Sequence, residues 1–327
     1  MSTPVCEPTL PPKDFIISPK APLTPKQEEL REAVQVHFTQ DGYLLPGVEK
    51  KQGELMEEEK FWLSYECQIR YLRATSWKVP QAIRRLESTL KWRREFGLYT
   101  HLTAARVEPE GATGKEVLFG YDVNGRPACY MTPSRQNTED GPGQVEYFVW
   151  MAERSMDLMD ANVETIDALV NCGDGAKLPS LATARAILSI QQDHYPERLG
   201  NALIINTPFY VTVFFKLITP FLDAVTAQKM KFNPDLKKEG LFQPNMVMKE
   251  WGGEQDFEYK HEVYWPKLAE ICDQRRKTWM ENWRKLGGRV GIREVDYKSD
   301  KPSQSQHVDE KNVVSEVQQA SSIVAAA

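Results

Sequence analysis

The sequence predicts an α/β protein in which an all-helical N-terminal subdomain is followed by a domain built on a mostly parallel β-sheet. Three observations support this prediction. The first hundred residues carry apolar stripes at helical spacing, with capping residues at their ends. Beyond residue 116, short strand-like runs alternate with helical segments. With 327 residues, of which 41% are hydrophobic and 27% charged, the chain can bury a substantial core.

The prolines and caps of the first hundred residues define two segments. Residues 1–24 contain six prolines, which oppose helix and sheet, so we expect a disordered arm there. A helix then begins at Pro25, with Thr24 as its N-cap and Gln27 as the capping-box partner. The helical subdomain is assigned to residues 25–100. Its helices are predicted at residues 25–38, 54–74 and 80–96.

The second domain is assigned to residues 101–293 and begins with a hairpin, because Asn124-Gly125 suits a tight turn between two short apolar runs. The predicted strands lie at residues 117–121, 127–131, 166–170, 202–206 and 228–232. The predicted helices lie at residues 144–159, 181–193, 209–221 and 261–286. This alternation predicts right-handed crossovers between parallel strands. Residues 294–327 lack a periodic apolar stripe and are expected to form a disordered tail.

Charge and cysteine content narrow the functional classes. The net charge of −5 argues against a generic nucleic-acid-binding protein, which needs an excess of cations to displace counterions. Five cysteines without a C-x-x-C pair favour neither a disulfide framework nor a structural zinc site. The N-terminus shows no secretory or transit pattern, so a cytoplasmic protein is expected.

Templates for catalysis are missing from the sequence. It contains no G-x-S-x-G elbow, no H-E-x-x-H and no G-x-G-x-x-G, and it has only five histidines. We therefore expect no catalytic residues, no metal and no cofactor, and predict that the protein is not an enzyme.

The segment 209–221 is apolar around nearly its whole circumference, unlike an ordinary surface helix. Two interpretations remain open. It is either a central core helix, or a lid whose inner face meets a lipid chain and whose outer face meets a bilayer. In the second case Pro220 and Asp223 would end the helix and form a hinge. The candidate gate and acyl-chain contacts are Phe209, Phe214, Phe215, Leu217, Ile218 and Phe221.

Polar residues bracket this segment. Glu197 precedes it, and Thr226 and Lys229 follow it. Each alone is typical of a surface charge or a cap. Together they suit a lipid headgroup, because a lysine supplies charge for phosphate, a hydroxyl donates to phosphate, and a carboxylate accepts from sugar-like hydroxyls.

A basic stretch lies near the C-terminal end of the second domain. Residues 275–293 contain seven Lys or Arg and one Glu, and Trp279 and Trp283 lie four residues apart within it. Cations beside tryptophan favour an anionic membrane surface. The alternative is that both indoles pack on the protein body.

An ordered series of motifs between Phe61 and Arg293 resembles the CRAL-TRIO lipid-binding family, specifically the fungal phosphatidylinositol transfer proteins of the secretory-pathway type. The motifs are Arg70-Tyr71-Leu72-Arg73-Ala74-Thr75, Lys91-Trp92-Arg93-Arg94-Glu95-Phe96-Gly97, Asn124-Gly125-Arg126-Pro127, Tyr195-Pro196-Glu197-Arg198, Pro220-Phe221-Leu222-Asp223 and Trp251-Gly252-Gly253. Further motifs, among them Pro133-Ser134-Arg135-Gln136-Asn137, resemble most closely the branch linked to azole tolerance, whose members pair phosphatidylinositol with sterol.

This resemblance implies a sheet floor and a mobile gate helix over an apolar cavity. It also implies that Glu197, Thr226 and Lys229 hold the phosphoinositol headgroup. Relatives often carry basic residues where this chain has Thr75 and Ser76, so Thr75 is a candidate headgroup contact, with Arg73 or Lys78 as replacements for the missing charge.

Relatives that carry phosphatidylcholine hold its phosphate with two tyrosines and a Ser/Thr pair. This chain has Leu118, Cys129, Ile166 and Ala168 at those positions, so a choline lipid is expected to bind poorly because a buried phosphate would lack hydroxyl donors.

The leading hypothesis is a non-enzymatic carrier that exchanges phosphatidylinositol for a second apolar ligand, a sterol, and presents the inositol lipid to phosphoinositide kinases. We expect it to bind transiently to the endoplasmic reticulum, lipid droplets or plasma membrane. Two alternatives remain. One is an adaptor that binds a kinase or small GTPase through the acidic stretch Glu139–Asp167. The other is a lipid hydrolase, which the missing nucleophile and base disfavour.

Overall fold

The structure is a computed structural model that describes residues 4–12, 17, 20–173, 175–222, 224–236 and 238–299. Its helices are α1 (Pro25–Thr39), α2 (Glu57–Trp62), α3 (Tyr65–Ala74), α4 (Val79–Glu95), α5 (Ala104–Gly111), α6 (Pro142–Asp157), α7 (Leu181–His194), α8 (Phe209–Ile218), α9 (Ala224–Gln228), α10 (His261–Lys285) and α11 (Glu294–Lys298). Its strands are β1 (Glu116–Tyr121), β2 (Pro127–Met131), β3 (Ile166–Asn171), β4 (Leu199–Ile205) and β5 (Met230–Phe232). The predicted α/β fold class is confirmed.

The N-terminal helices pack around a hydrophobic core to which Val290 from the C-terminal part of the chain also contributes. Helix α1 begins as predicted, with Thr24 accepting from the Gln27 amide and completing the capping box. The core side chains of this region are Val34, Phe38, Leu45, Leu63, Cys67, Tyr71, Leu72, Ala82, Leu86 and Leu90. The prediction of a single helix over residues 54–74 is wrong. Helix α2 ends before Leu63, and the Ser64 side chain caps α3 by accepting a hydrogen bond from the Cys67 amide.

Helix α5 was not predicted. Thr103 caps it through the Arg106 amide, and Pro109 lies inside it. It was missed because a helix of eight residues with an internal proline shows no clear apolar periodicity in the sequence. It packs against α6 and α10.

The sheet has the order β1-β2-β3-β4-β5. Strand β1 pairs with β2 in antiparallel fashion, and the remaining pairs are parallel. The register of β1 against β2 shifts between Leu118 and Tyr121. Gly120 lies at this bulge with a φ of +71°, and an added Cβ would lie 2.0 Å from the Met246 carbonyl oxygen. Only glycine fits both the backbone angle and the close approach.

The chain after residue 293 is ordered up to residue 299, so the predicted disordered tail is wrong over 294–299. Helix α11 buries Glu294 and Tyr297 because it packs against α10 and because the Glu294 amide donates to the Glu66 carboxylate of α3 over 2.8 Å. The Ser64 hydroxyl donates to the Glu294 carboxylate over 3.0 Å. Burial alone would raise the pKa of Glu294, but Lys298 and Arg70 hold it below its usual range. The predicted tail beyond residue 299 lies outside the described residues.

The arm predicted to be disordered over residues 1–24 is ordered over residues 4–12. The Val5 amide donates to the Asp256 carbonyl over 2.8 Å, and the Glu258 amide donates to the Val5 carbonyl over 2.9 Å. Farther along, the Tyr121 hydroxyl donates to the Thr9 carbonyl over 3.1 Å. Proline lowers the conformational entropy of the unfolded arm, which favours such docking. The predicted disorder of residues 1–3, 13–16 and 18–19 lies outside the described residues.

Candidate functional site

A cavity of about 360 Å³ lies between one face of the sheet and helices α6, α7 and α8. Alternation along the strands places every second side chain on this face. The residues that the sheet contributes are Glu116, Cys129, Met131, Ile166, Ala168, Val170, Leu199, Ala202, Ile204 and Met230. All but Glu116 are apolar or weakly polar. The volume falls within the range of about 300 to 1,000 Å³ typical of small-ligand sites.

The helices cover this floor with mostly apolar groups. Helix α6 contributes Gln144, Tyr147, Phe148, Met151, Ala152, Ser155 and Met156, and α7 contributes Ile187, Leu188 and Gln191. The hydroxyls among them are engaged within the protein. Ser155 donates to the Ala152 carbonyl over 2.7 Å, and Tyr147 donates to the Glu116 carbonyl over 3.4 Å. The walls of the cavity therefore favour an apolar ligand.

Helix α8 forms a lid with two different faces. Phe215 and Ile218 line the cavity, and Val211 is fully buried beneath the helix. On the other side Phe209 is 85% exposed and Leu217 is 52% exposed. The interpretation of this segment as a central core helix is therefore wrong, because its outer face is uncovered in the described structure. The large outward side chains are Phe209, Tyr210, Val213, Leu217 and Phe221.

The remaining gate candidates lie at the edge of the lid. Phe214 is half-buried and does not line the cavity; its ring lies 6.3 Å from that of Phe215. Phe221 is 40% exposed and holds the end of the lid against α7, because Arg185 stacks 3.9 Å above its ring and Gln192 donates to its carbonyl over 2.7 Å. The lid continues past α8 as a 3₁₀ turn at Thr219–Phe221. The predicted hinge residue Asp223 lies outside the described residues.

The headgroup candidates gather at the sheet edge where β3, β4 and β5 begin. Thr226 lines the cavity, and its carbonyl accepts from the Lys229 amide over 3.1 Å. The Lys229 ammonium donates to the Leu199 carbonyl over 2.6 Å, which places it beside the start of β4. Glu197 lies two residues before β4, with a φ of +61° that is unusual for a residue with a side chain. The structure thus brings Thr226 and Lys229 together, with Glu197 close by along the chain.

Thr75 does not reach the cavity. Its hydroxyl donates to the Tyr71 carbonyl over 2.9 Å and ends α3. The guanidinium of Arg73 lies closer to the other candidates, since its Nε donates to the Glu197 carboxylate over 3.2 Å. A headgroup role for Thr75 stays a prediction.

Arg73 belongs to a partly buried ion cluster that was not predicted from the sequence. Its Nη2 lies 2.6 Å from Glu164, which also pairs with Lys20 and lies 3.8 Å from Arg70. Burial alone would raise the pKa of Glu164, but Arg70, Arg73 and Lys20 lower it to about 2. The cluster stays charged at neutral pH and ties α3 to the loop before β3.

Arg198 is the further functional candidate that this cluster reveals. It follows Glu197 directly, lines the cavity, and its Nη1 donates to the Glu164 carbonyl over 3.0 Å. Burial and the nearby Arg70 lower the pKa of Arg198 to about 10, so the guanidinium remains charged at neutral pH. The signal in the sequence was its place in the motif Tyr195-Pro196-Glu197-Arg198, one position after a predicted site residue. A fixed positive charge at this rim favours an anionic group.

The prediction that Trp279 and Trp283 form a membrane-facing surface is wrong. The two side chains are only 7% and 2% exposed, because α11 and Phe61 cover them. The Trp283 indole donates to the Arg289 carbonyl over 3.1 Å, and Arg275 stacks 4.8 Å above the Trp279 ring. The alternative interpretation, that both indoles pack on the protein body, is correct.

The acidic stretch Glu139–Asp167 does not form an open acidic face. Six of its eight carboxylates pair with cations within the molecule: Glu146 with Arg106, Glu153 with Arg93, Asp157 with Arg154, Asp160 with Arg275, Glu164 with Arg73, and Asp167 with Arg126. Since these charges are neutralised internally, the stretch gives little support to an adaptor that binds a basic partner.

In the part of the chain that the structure describes, no group of three or more His, Cys, Asp or Glu side chains is arranged to hold a metal ion. Over the same residues, no helix is both long and apolar enough to cross a bilayer.

Two family models match the chain. The CRAL/TRIO N-terminal domain matches residues 26–88, and the CRAL/TRIO domain matches residues 111–253. A CRAL-TRIO domain-containing protein of Schizosaccharomyces pombe is 42% identical over 279 residues, which are 84% of this chain and 27% of that relative. The phosphatidylinositol transfer protein PDR17 of Saccharomyces cerevisiae is 39% identical over 299 residues, covering 85% of each protein.

More distant matches agree on the fold. The SEC14 cytosolic factor of Candida glabrata is 26% identical over 183 residues, which are 50% of this chain and 60% of that protein. The crystal structure of Sfh5 superposes with a TM-score of 0.50 over 77% of this chain and 95% of Sfh5, at 15% sequence identity. These matches confirm the family resemblance predicted from the sequence motifs.

Proposed function

This chain belongs to the CRAL-TRIO family, and on that premise we propose that it is a non-enzymatic carrier that binds phosphatidylinositol and exchanges it for a sterol. The observation that carries the proposal is the apolar cavity beneath α8. PDR17, which is similar to this chain along most of its length, is named a phosphatidylinositol transfer protein.

A closed apolar cavity is what lipid transfer requires physically. A diacyl lipid has roughly 30 methylenes, and exposing each to water costs about 0.8 kcal/mol, so spontaneous transfer costs about 20 kcal/mol or more. A cavity walled by side chains such as Met151, Ile187 and Phe215 replaces the bilayer interior at little cost. The choice of lipid then depends on a few polar contacts of about 1 to 3 kcal/mol each.

The polar contacts for the inositol lipid lie at the edge where β4 and β5 begin. Arg198 and Lys229 provide positive charge for the phosphate, and the Thr226 hydroxyl adds a hydrogen bond. Glu197 accepts from the inositol hydroxyls, and Arg73 holds its carboxylate in place. Phosphatidylinositol is therefore favoured over a lipid with a small neutral headgroup.

The floor of the cavity disfavours phosphatidylcholine. Cys129, Ile166 and Ala168 lie on this floor and Leu118 is buried next to it, so none of the four positions offers a hydroxyl to a phosphate. The same apolar floor suits the flat body of a sterol. A sterol can therefore pack on the part of the floor that disfavours a choline phosphate.

The uncovered face of α8 suits a membrane that the carrier visits transiently. Phe209 and Leu217 would enter the interfacial region while the lid opens, and Phe215 would leave the cavity to admit a lipid. The proposed membranes are the cytosolic faces of the endoplasmic reticulum, lipid droplets or plasma membrane. There the carrier presents phosphatidylinositol to phosphoinositide kinases.

The test is vesicle-to-vesicle transfer of phosphatidylinositol by the double variant Glu197→Ala/Lys229→Ala. We expect transfer to be abolished while the circular dichroism spectrum is retained, because Glu197 and Lys229 lie beside the starts of β4 and β5 and outside the hydrophobic core. The matched control is Lys231→Ala/Glu239→Ala, which removes a neighbouring ion pair between partly exposed side chains. Wild-type transfer rates in the first double variant would refute the headgroup assignment. A lipid hydrolysis product that accumulates with time would refute the non-enzymatic carrier.

A further inference from the structure

Glu116 is the one carboxylic acid among the described residues that line the cavity, whose other polar lining residues include Lys115, Thr132, Gln136, Gln144 and Lys177. It is the first residue of β1 and pairs with Met131, while Leu118 pairs with Cys129. Strand alternation therefore directs Glu116 to the face that Cys129 and Met131 share, and all three side chains line the cavity.

The carboxyl of Glu116 has no hydrogen-bond partner among the described residues. Its neighbour Lys115 is engaged by Glu110, and the Tyr147 hydroxyl donates to the backbone carbonyl of Glu116, not to its side chain. The side chain is half-buried, and desolvation by the surrounding protein raises the pKa of Glu116 to about 7, with Lys115 opposing the rise and Glu110 adding to it. A half-buried carboxyl without a protein partner is free to form hydrogen bonds with a ligand in the cavity.

The position of Glu116 separates it from the headgroup candidates. β1 runs antiparallel to β2, so Glu116 lies beside the end of β2, whereas Lys229 and Glu197 lie where the parallel strands begin. The four residue steps of β2 from Pro127 to Met131 span about 13 Å at 3.3 Å per residue. A phosphoinositol headgroup bound where the parallel strands begin would therefore lie at the opposite end of the cavity from the Glu116 carboxyl.

We propose that Glu116 is the recognition point for an apolar lipid that carries a single hydroxyl at one end. This inference rests on the proposed carrier function and specifies what the second ligand must offer. A hydroxyl both donates to and accepts from a carboxylic acid, so one contact completes the pairing of the group. An anionic end would be repelled by the ionised form, and a charged amine would have to shed its water to reach a floor formed by Cys129 and Met131.

The test compares hydroxylated probes with their methyl ethers, which keep the shape but lose the donated proton. The fluorescent sterol dehydroergosterol and its methyl ether are titrated into the full chain, and octadecanol and its methyl ether compete in parallel. We expect the wild type to bind dehydroergosterol about ten- to a hundred-fold more tightly than its ether. Competition by octadecanol as well would assign the site to hydroxylated chains in general. Competition by sterol alone would restrict it to sterols, and both results support the hydroxyl contact.

Two variants locate the contact. Glu116→Leu should bring the preference for hydroxyl over ether close to one, and Glu116→Gln should retain part of it because an amide still donates and accepts. The control is Glu262→Gln, an exposed carboxylate at the start of α10, which should keep the full preference. A wild type that binds alcohol and ether equally, or an undiminished preference in Glu116→Leu, would overturn the inference; the ligand comparison on the wild type decides even if a variant does not fold.

The failure of this inference is distinguishable from failure of the carrier function. Wild-type protein that transfers phosphatidylinositol between vesicles but shows no hydroxyl preference refutes the role of Glu116 alone. Wild-type protein that transfers no phosphatidylinositol refutes the carrier function itself.

Discussion

The outer face of α8 gives the most quantitative prediction about membrane contact. Burying a whole Phe side chain is worth about 1.5 to 3 kcal/mol, so the 85% of Phe209 that is exposed makes about 2 kcal/mol available on insertion. The 52% of Leu217 that is exposed makes about 1 kcal/mol available. Since a factor of ten corresponds to about 1.4 kcal/mol, Phe209→Ser should weaken vesicle binding about 30-fold and Leu217→Ser about fivefold.

The assay is vesicle flotation over a range of lipid concentrations, which yields a partition coefficient for each variant. The matched control is Val36→Ser on α1, which removes an apolar side chain that is 58% exposed but belongs to the helical subdomain. We expect the control to bind like the wild type. Equal partition coefficients for Phe209→Ser, Leu217→Ser and the wild type would refute the membrane-facing lid.

Three further predictions concern stability. Burial alone would raise the pKa of Glu153, but its bidentate contact with Arg93, at 2.8 and 3.1 Å, lowers it from 4.5 to about 2. This contributes about 3 kcal/mol that is fully present above pH 4.5 and is lost as the pH falls through 2. Urea unfolding of Arg93→Leu should therefore show a loss of about 3 kcal/mol or more at pH 7 and a smaller one at pH 3; a pH-independent loss would contradict the ion pair. The free energy of unfolding of Glu197→Gly should exceed that of Glu197→Ala by about 1 kcal/mol, because only glycine adopts the positive φ without strain. Urea unfolding of the two variants measures this difference. Trp283→Ala should lower the free energy of unfolding by about 3 to 5 kcal/mol with unchanged flotation, whereas a selective loss of vesicle binding would restore the surface role that the structure rejects.

Much of the fold was predictable because local signals agree with tertiary packing. Some signals depend only on residues close together in sequence: the Thr24 cap, the Asn124-Gly125 turn and the alternating runs after it. The structure places a helix or strand at each of them. The break at Ser64 was missed because the apolar pattern continues across it. The Ser64 side chain that caps α3 also donates to Glu294, more than two hundred residues away.

The site was predictable only in part, because tertiary packing decides which side chains face the cavity. Residue type and order identified Thr226 and Lys229, which the structure brings together at one sheet edge. The burial of Trp279 and Trp283 depends on α11, a segment without a periodic stripe. Glu116 and Arg198 gain their significance from facing the cavity, and a strand pattern reveals which residues share a face but not which face encloses a chamber.

Native mass spectrometry of the freshly purified protein determines whether the cavity holds a lipid. We predict that the protein carries one lipid molecule, identified on release as phosphatidylinositol or a hydroxylated sterol, and that phosphatidylinositol is absent from Glu197→Ala/Lys229→Ala. A wild-type protein detected only at its bare mass, even after incubation with vesicles that contain phosphatidylinositol, would contradict it.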